Sequence, residues 1–344
     1  MFCGYIIRLE EKYPHLDWNL KDMKRRGIIF LWIYRKEVLS LAYLFLIGGA
    51  FGAIWIFYGR TSANTLAFEE DHKIVEVVIS HMAKPVVKPK IIAEAWKTNA
   101  VGVAADDRPQ ISIVIDDLGV VKSRTFDIIK LDASLTLSFL PYAPDLKNMT
   151  RYAREQGHEL MLHLPMEPKG DKDPGPHAML TGVSDEKILA ELSFNLAQFD
   201  GYVGLNNHMG SAFTENRRGL DLILKEVGKR GLLVLDSRTS KKSLFAGMAA
   251  DRNIPNVTRD FFLDNEQDVD YILGQLKKLE KMALRRGSAI AIGHPYDETI
   301  AALSIWLPSL KEKGIVAVPL SALVKRKYQE IYMAKGGGRS SSSR

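Results

Sequence analysis

Short runs of β-forming apolar residues recur from residue 111 onward, and the segments between most of them have the apolar spacing of amphipathic helices. Parallel strands need long crossover connections, so this alternation predicts a parallel α/β sheet, open or closed as a barrel. The number and spacing of the runs favour a distorted (β/α) barrel with about seven strands. The predicted strands are 111–115, 135–139, 160–163, 202–206, 232–235, 289–293 and 315–319.

Residues that favour helix ends lie between these strands. Ser184 and Thr214 each precede acidic residues, and both are predicted to be N-caps. Gly157, Gly231 and Gly314 each lie shortly before a predicted strand, where a helix commonly ends on a left-handed residue.

The uncharged run 38–58 is long enough to cross a bilayer as a helix. Basic residues are concentrated before it, at 24–26 and 35–36, which predicts a cytoplasmic N-terminus and an external remainder. A buried core helix and a cleaved signal peptide are the alternatives. The run begins late and lacks a small-x-small site at its end, so we expect an uncleaved single-pass anchor.

The regions on either side of the strand-rich part differ from it in composition. A Lys/Pro-rich stretch at 84–90 is typical of an extended linker, and the last residues are rich in Gly and Ser. The predicted organisation is a cytoplasmic segment 1–37, an anchor 38–58, a linker 59–108, a catalytic domain 109–325 and a disordered tail 326–344.

Composition excludes several classes of function. The formal net charge is +6, but the basic residues are scattered over helical segments or lie beside the apolar run, without interleaved aromatic residues. We therefore expect no nucleic-acid partner. Cys3 is the single cysteine, which excludes an intramolecular disulfide and a cysteine-based zinc site. The motifs of serine hydrolases, P-loop proteins and dinucleotide-binding proteins are absent.

Five polar clusters follow predicted strands. The carboxyl ends of parallel strands meet at one face, so the clusters are expected to line one pocket. Taken singly, each has an ordinary interpretation as an Asx turn, a helix cap or a polar turn. Together, carboxylates and imidazoles can bind a divalent metal and leave an acid and a base for hydrolysis. The clusters are centred on Asp116 and Asp117, His163, Asn207 and His208, Asp236, and His294.

Neighbouring strand residues point to opposite sides, so one of the two adjacent acids, Asp116 and Asp117, is expected to bind metal while the other acts as a base. Glu167 follows His163 by four residues, a spacing that lets both reach one ion on a helical turn, although Pro165 favours a loop. His294 is suited to be a general acid because imidazole titrates near neutral pH.

Three further residues have alternative interpretations. Asn206 and Asn207 are expected to orient a ligand or to fix an imidazole tautomer. Asp236 is expected either to hold a histidine or a positive partner, or to cap the following helix.

In order, these motifs resemble the divergent polysaccharide deacetylase family, distant relatives of the NodB-type carbohydrate esterases. The resemblance covers about 109–324 and implies a distorted (β/α) barrel that faces the periplasm of Gram-negative bacteria. It is carried by IVIDDLG (113–119), HELMLHLPMEP (158–168), GLNNHMGS (204–211), LDSRTS (235–240), RDFFLDN (259–265) and AIGHP (291–295).

The resemblance also implies roles for individual residues. Asp116 matches the base, Asp117 and His163 match metal ligands, and His294 matches the acid. Glu167 stands where those esterases have their second histidine, so His208 is the expected replacement ligand.

The expected metal set is therefore Asp117, His163 and His208. Zinc suits such ligands, and nickel, cobalt and manganese are compatible with them. Glu167, Asp236, Asn207 and Asp264 are expected as further ligands or as groups around the site.

The expected function is removal of N-acetyl groups from an envelope polysaccharide such as peptidoglycan, by an enzyme anchored in the inner membrane through 38–58. Cleavage of another amide in the same polymer is an alternative. The alternative from another class is a non-catalytic glycan-binding or scaffold protein that retains the fold. The sequence indicates no particular protein partner.

Overall fold

The computed structural model describes residues 94–104 and 106–336. The described residues contain nine strands, all paired in parallel in one sheet. The predicted parallel α/β architecture and its seven strands are confirmed. The strands are β1 (Gln110–Leu118), β2 (Thr136–Phe139), β3 (Glu159–Met166), β4 (Tyr202–Met209), β5 (Leu233–Asp236), β6 (Asn256–Thr258), β7 (Phe261–Phe262), β8 (Ser288–Gly293) and β9 (Val316–Ala317).

Helices connect most of these strands, as crossover connections require. A 3₁₀ turn at Phe213–Glu215 precedes the fifth helix. The helices are α1 (Ala95–Thr98), α2 (Lys122–Ile129), α3 (Leu146–Glu155), α4 (Asp185–Leu196), α5 (Arg217–Arg230), α6 (Phe245–Asp251), α7 (Val269–Arg286), α8 (Asp297–Ser309) and α9 (Leu320–Gly336).

The sheet is curled into a half-barrel. Its order is β6-β5-β4-β3-β2-β1-β8-β7, with β9 paired to β1, so the two end strands β6 and β7 are consecutive in the chain. Between them, Arg259 N donates to Asp236 O of β5, and Asp260 N donates to Ile290 O of β8. The chain therefore passes from one edge of the sheet to the other within two residues. Strands as short as β6 and β7 have too few residues to show a period, and neither was predicted.

The two faces of the sheet have separate apolar cores. The inner face contributes Val114, Met161 and Ile290, which pack with residues from the start of α9 such as Leu323. The outer face, represented by Ile113, packs against the surrounding helices. Residues that follow an inward-facing position by two or four places along a regular strand therefore point into the half-barrel.

The domain is longer at both ends than the sequence predicted. Trp96 of α1, placed in the predicted linker 59–108, is 5% exposed and packs in the inner core. The predicted disordered tail 326–344 is helical as far as Gly336, because the stretch after 325 is rich in good helix formers.

The predicted anchor 38–58 lies outside the described residues. In the parts that are described, no helix combines the length and apolar character needed to span a bilayer.

The helix caps lie where the sequence predicts them, with one exception. The predicted cap Ser184 accepts a hydrogen bond from Lys187 N at the start of α4. The prediction for Thr214 is wrong, because its hydroxyl donates to Gly210 O within the 3₁₀ turn. Asn216 caps α5 instead.

Gly231 is a glycine outside the site at which a side chain is expected to lower stability. It ends α5 with φ of 62°, as predicted, and an added Cβ would lie 2.2 Å from Glu94 N. Gly231→Ala is expected to lower the free energy of unfolding by more than about 1 kcal/mol, measured by denaturant titration. Gly247→Ala is the matched control, because Gly247 lies in α6 with nothing within 4 Å of its Cβ position. Equal stability of the two variants would contradict this packing.

Candidate metal centre and active site

Two irregularities in the strands turn the candidate side chains toward one place. In β1 the register shifts between Ile115 and Leu118, and Asp117 has a left-handed φ of 58°. The expectation that Asp116 and Asp117 point to opposite sides is therefore wrong, since both line the same cavity. Non-glycine residues seldom adopt positive φ, and such strain is common at functional sites.

The second irregularity lies in β4. Its pairing with β3 advances from Leu160↔Tyr202 to Leu162↔Leu205, which inserts one residue into β4. An inserted residue reverses the alternation of side chains beyond it. Asn206 and His208 consequently face the interior, toward His163.

The side chains meet in a cavity of about 230 Å³ at the carboxyl ends of the strands. It contains every residue that the sequence assigned as a base, an acid or a first-choice metal ligand. The cavity is lined by Asp116, Asp117, His163, Asn207, His208, Met209, Ser237, Thr239, Phe262 and His294.

Asp117, His163 and His208 form a compact set of possible metal ligands. Asp117 Oδ1 lies 3.2 Å from His163 Nε2 and 2.8 Å from His208 Nδ1, and the two ring nitrogens are 3.3 Å apart. Ligand atoms arranged tetrahedrally at zinc distances lie about 3.3 Å from one another. Asp117 Oδ1 is buried, and no donor among the described residues meets it with hydrogen-bond geometry. The donor set and the orphaned oxygen fit a divalent cation.

Asn206 connects Asp116 with His163 of the possible ligand set. It is fully buried, and its Nδ2 donates to Asp116 Oδ1 at 2.8 Å and to Asp116 Oδ2 at 3.0 Å. Its Oδ1 lies 2.8 Å from His163 Nδ1, which leaves Nε2 of that ring for the ligand cluster. Ser138 and Ser237 complete its hydrogen bonds. One amide thus fixes both the Asp116 carboxylate and the tautomer of His163.

His294 is held from behind by Asp264. His294 Nδ1 lies 2.9 Å from Asp264 Oδ1, and its backbone N–H donates to the same carboxylate. Thr299 donates to Asp264 Oδ2 at 2.9 Å, so the acid is fixed in turn. His294 Nε2 lies 4.0 Å from Asp117 Oδ2. Its second nitrogen is therefore directed at the cavity.

The ionisation of these groups follows from burial and from their neighbours. Burial raises the pKa of Asp116. Burial would also raise the pKa of Asp117, but the imidazoles of His163 and His208 hold it well below its usual range. Burial acts to lower the pKa of His294, and contact with Asp264 outweighs this and raises it to about 9. In the metal-free protein His294 is therefore protonated at neutral pH.

Two residues assigned to the site lie outside the cluster. Glu167 Oε2 accepts a hydrogen bond from Thr181 N and organises the loop after β3. Asp236 occupies an outward-facing position of β5, where it accepts from Ser243 Oγ at 2.8 Å and from Ala246 N at 3.3 Å. Asp236 thus has the capping role that the sequence left as an alternative.

The remaining assigned residues, Asn207 in the cavity lining and Asp264 behind His294, hold parts of the site in place. Asn207 Oδ1 accepts from Ser237 N at 2.9 Å, so it links β4 to the loop after β5. Asp264 has the histidine-holding role described above. The sequence predicted that both asparagines orient a ligand or fix an imidazole tautomer, and Asn206 is the one whose amide meets an imidazole, at His163 Nδ1. The inserted residue in β4 turns Asn206 toward His163.

Comparison with known proteins gives consistent matches over this domain. A sequence profile of the divergent polysaccharide deacetylases matches residues 113–324, more than half of the chain. The chain is 31% identical over 206 residues to an uncharacterized protein of Haemophilus influenzae, which covers 59% of this chain and 72% of that relative. The uncharacterized protein YibQ of Escherichia coli K12 is 29% identical over 194 residues, 56% of this chain and 61% of YibQ. The match thus spans less than two thirds of YibQ.

Among solved structures, the uncharacterized protein ATU2773 from Agrobacterium tumefaciens C58 is 32% identical to this chain, with a TM-score of 0.65. The similarity covers 67% of this chain and 95% of ATU2773. The half-barrel domain is therefore similar to nearly the whole of that protein.

Proposed function

We propose a function from this premise: the chain belongs to the divergent polysaccharide deacetylase family. Its proposed reaction is metal-dependent hydrolysis of the N-acetyl groups of an envelope glycan such as peptidoglycan. The observation that carries the proposal is the convergence of Asp117, His163 and His208 on one point beside Asp116 and His294. Ligands, base and acid thus share one cavity.

Asp117, His163 and His208 would hold the ion, and zinc suits this borderline donor set best. A divalent ion held there would supply Lewis-acid polarisation of the acetamide carbonyl and would lower the pKa of a water molecule.

Asp116 is placed to accept the proton of the attacking water. Its carboxylate is 2% exposed, and Asn206 fixes both oxygens. Burial raises the pKa of Asp116, which increases its affinity for a proton. Its Oδ2 lies 3.7 Å from His163 Nε2, close to the proposed ligand set without belonging to it.

His294 is placed to protonate the departing amine. Asp264 occupies its Nδ1, so its Nε2 proton is directed at the cavity. A protonated imidazole opposite a buried carboxylate gives the acid and base pair that amide hydrolysis requires.

The experiment that tests this proposal is product analysis. Full-length protein loaded with zinc is incubated with peptidoglycan fragments, and free acetate and new amine groups are quantified together. The proposal expects both in equal amounts. Cleavage of another amide would give amines without acetate. Saccharide binding with neither product would favour the scaffold alternative.

The proposed location is the periplasmic side of the inner membrane, with the N-terminus in the cytoplasm. The support is the uncharged run 38–58 and the basic residues before it. A reporter enzyme that folds only outside the cytoplasm, fused after residue 108, is expected to be active. Activity of a cytoplasm-only reporter at the same junction would reverse this orientation.

A further inference from the structure

Arg259 lies directly behind the wall of the cavity. Its guanidinium carbon is 3.6 Å from the ring centroid of Phe262, a cavity residue. Its Nε donates to Ser237 O at 2.6 Å, and its second terminal nitrogen donates to Arg238 O at 3.1 Å. These contacts fix the plane of the guanidinium beside Phe262 and leave further N–H groups for another acceptor.

Arg238 lies at the rim of the same wall. Its neighbours Ser237 and Thr239 both line the cavity, and its own backbone adopts a left-handed φ of 49°. The side chain of Arg238 is exposed. A bulky residue held in this conformation is uncommon. The backbone carbonyl of Arg238 accepts a hydrogen bond from Arg259, and the charge of Arg238 acts on the Arg259 guanidinium.

Neither guanidinium has a carboxylate within 4 Å among the residues that the structure describes. The nearby acids are engaged elsewhere. Asp236 accepts from Ser243 and from two backbone N–H groups, and Asp116 is held by Asn206. Asp260, the third acid that acts on Arg259, accepts from Ile290 N and pairs with Arg286 at 3.5 Å. The like charges of Arg238 and Arg259 repel each other, and a bound anion would offset this repulsion. Burial and the charge of Arg238 both lower the pKa of Arg259, to about 10, so it remains charged at neutral pH.

The rest of this side of the cavity is also basic. Lys241 and Lys242 are exposed and follow in the loop after β5. Glu215 also faces this loop, and it is engaged by Lys169 at 2.6 Å and by Ser240. The loop after β5 thus carries an excess of positive charge.

We propose that Arg238 and Arg259 form an anion subsite that binds an acidic substituent of the glycan, a carboxylate or a phosphate, beside the sugar whose acetamide enters the cavity. This assignment rests on the proposed function and narrows its substrate class to acidic glycans. Planar guanidinium groups match both anions with two parallel hydrogen bonds, and a pair of arginines discriminates against neutral sugars.

The test measures binding, so that it does not depend on turnover. Full-length protein is titrated calorimetrically with three fragments of equal length. They are a neutral N-acetylglucosamine oligomer, an oligomer with carboxylate-bearing N-acetylmuramic acid, and an oligomer with phosphate substituents. The wild type is expected to bind at least one acidic fragment about tenfold or more tightly than the neutral one. The tighter acidic fragment identifies the anion.

Arg238→Gln and Arg259→Gln are each expected to weaken binding of the preferred acidic fragment about tenfold and to leave the neutral fragment within about twofold. Arg285→Gln is the matched control, because Arg285 is exposed in the last turn of α7, next to the amino end of β8 and away from the cavity. Since Arg238 is exposed, loss of folding does not explain an effect of its substitution, and thermal melting monitors Arg259→Gln.

Equal affinity of the wild type for acidic and neutral fragments would overturn the subsite. Arginine variants that weaken binding of the acidic and the neutral fragments equally would also overturn it. Failure of the proposed subsite can be distinguished from failure of the proposed reaction. Arginine-dependent binding of an acidic fragment without acetate release would keep the subsite and reject deacetylation. Acetate release from neutral and acidic fragments alike, unchanged in the arginine variants, would keep deacetylation and reject the subsite.

Discussion

Asp116→Asn is expected to slow acetate release from the glycan by about 10²-fold or more, because asparagine keeps the size of the side chain but cannot accept a proton. The hydrogen bonds from Asn206 Nδ2 meet the carboxylate of Asp116 at 2.8 and 3.0 Å, and one of them can persist with the amide oxygen. The variant is therefore expected to fold. His294→Ala is expected to have a loss of similar size, because it removes the proton donor.

Metal content and thermal melting are the controls for these two variants. Both proteins are expected to retain the ion, since neither residue belongs to the ligand set Asp117, His163 and His208. Near wild-type rates for both would reject the acid and base assignment. If Asp116→Asn lost both its rate and its metal, Asp116 would instead belong to the ligand set.

His208→Ala is expected to remove most of the bound metal. Altering a residue that only supports a ligand typically costs about 10- to 100-fold in metal affinity, and deleting a ligand itself costs more. Elemental analysis after dialysis is expected to give about one ion per wild-type chain and almost none for the variant. The side chain lies at a strand end and contributes little to the core, so the variant is expected to fold.

Glu167→Gln is the matched control for the ligand assignment. Glu167 stands at the sequence position that the esterase motif gives to a histidine, but Thr181 N donates to its carboxylate in the loop after β3. The Glu167→Gln variant is expected to keep its metal. A variant Glu167→Gln that loses metal while His208→Ala retains it would exchange their roles.

The sequence predicted seven of the nine described strands because each of the seven is a compact apolar run, and five of these runs end in a polar cluster. It also predicted that the clusters meet, since parallel strands place their carboxyl ends at one face. The direction of individual side chains was harder to predict. The left-handed Asp117 and the inserted residue in β4 both break the two-residue alternation on which such predictions rest. Neither irregularity has a clear signature in the local sequence.

Asp236 also shows that the direction of a side chain is hard to predict from the sequence. It ends β5 in the same way that Asp116 and Asp117 follow the apolar part of β1, and by sequence alone the positions look equivalent. Leu235 faces the inner core, so the regular alternation of β5 turns Asp236 outward to Ser243 and Ala246. The distinction depends on which face each strand turns to the core, and this is set by the assembled sheet.

We propose that acetate release requires an ion held by Asp117, His163 and His208. The most direct measurement is a titration of chelator-treated, full-length protein with zinc, in which acetate release from peptidoglycan fragments is followed at each addition. We expect no release before zinc is added, a rise with each addition and a plateau at about one ion per chain. Full acetate release by the metal-free protein, or none from a protein that has bound its zinc, would contradict it.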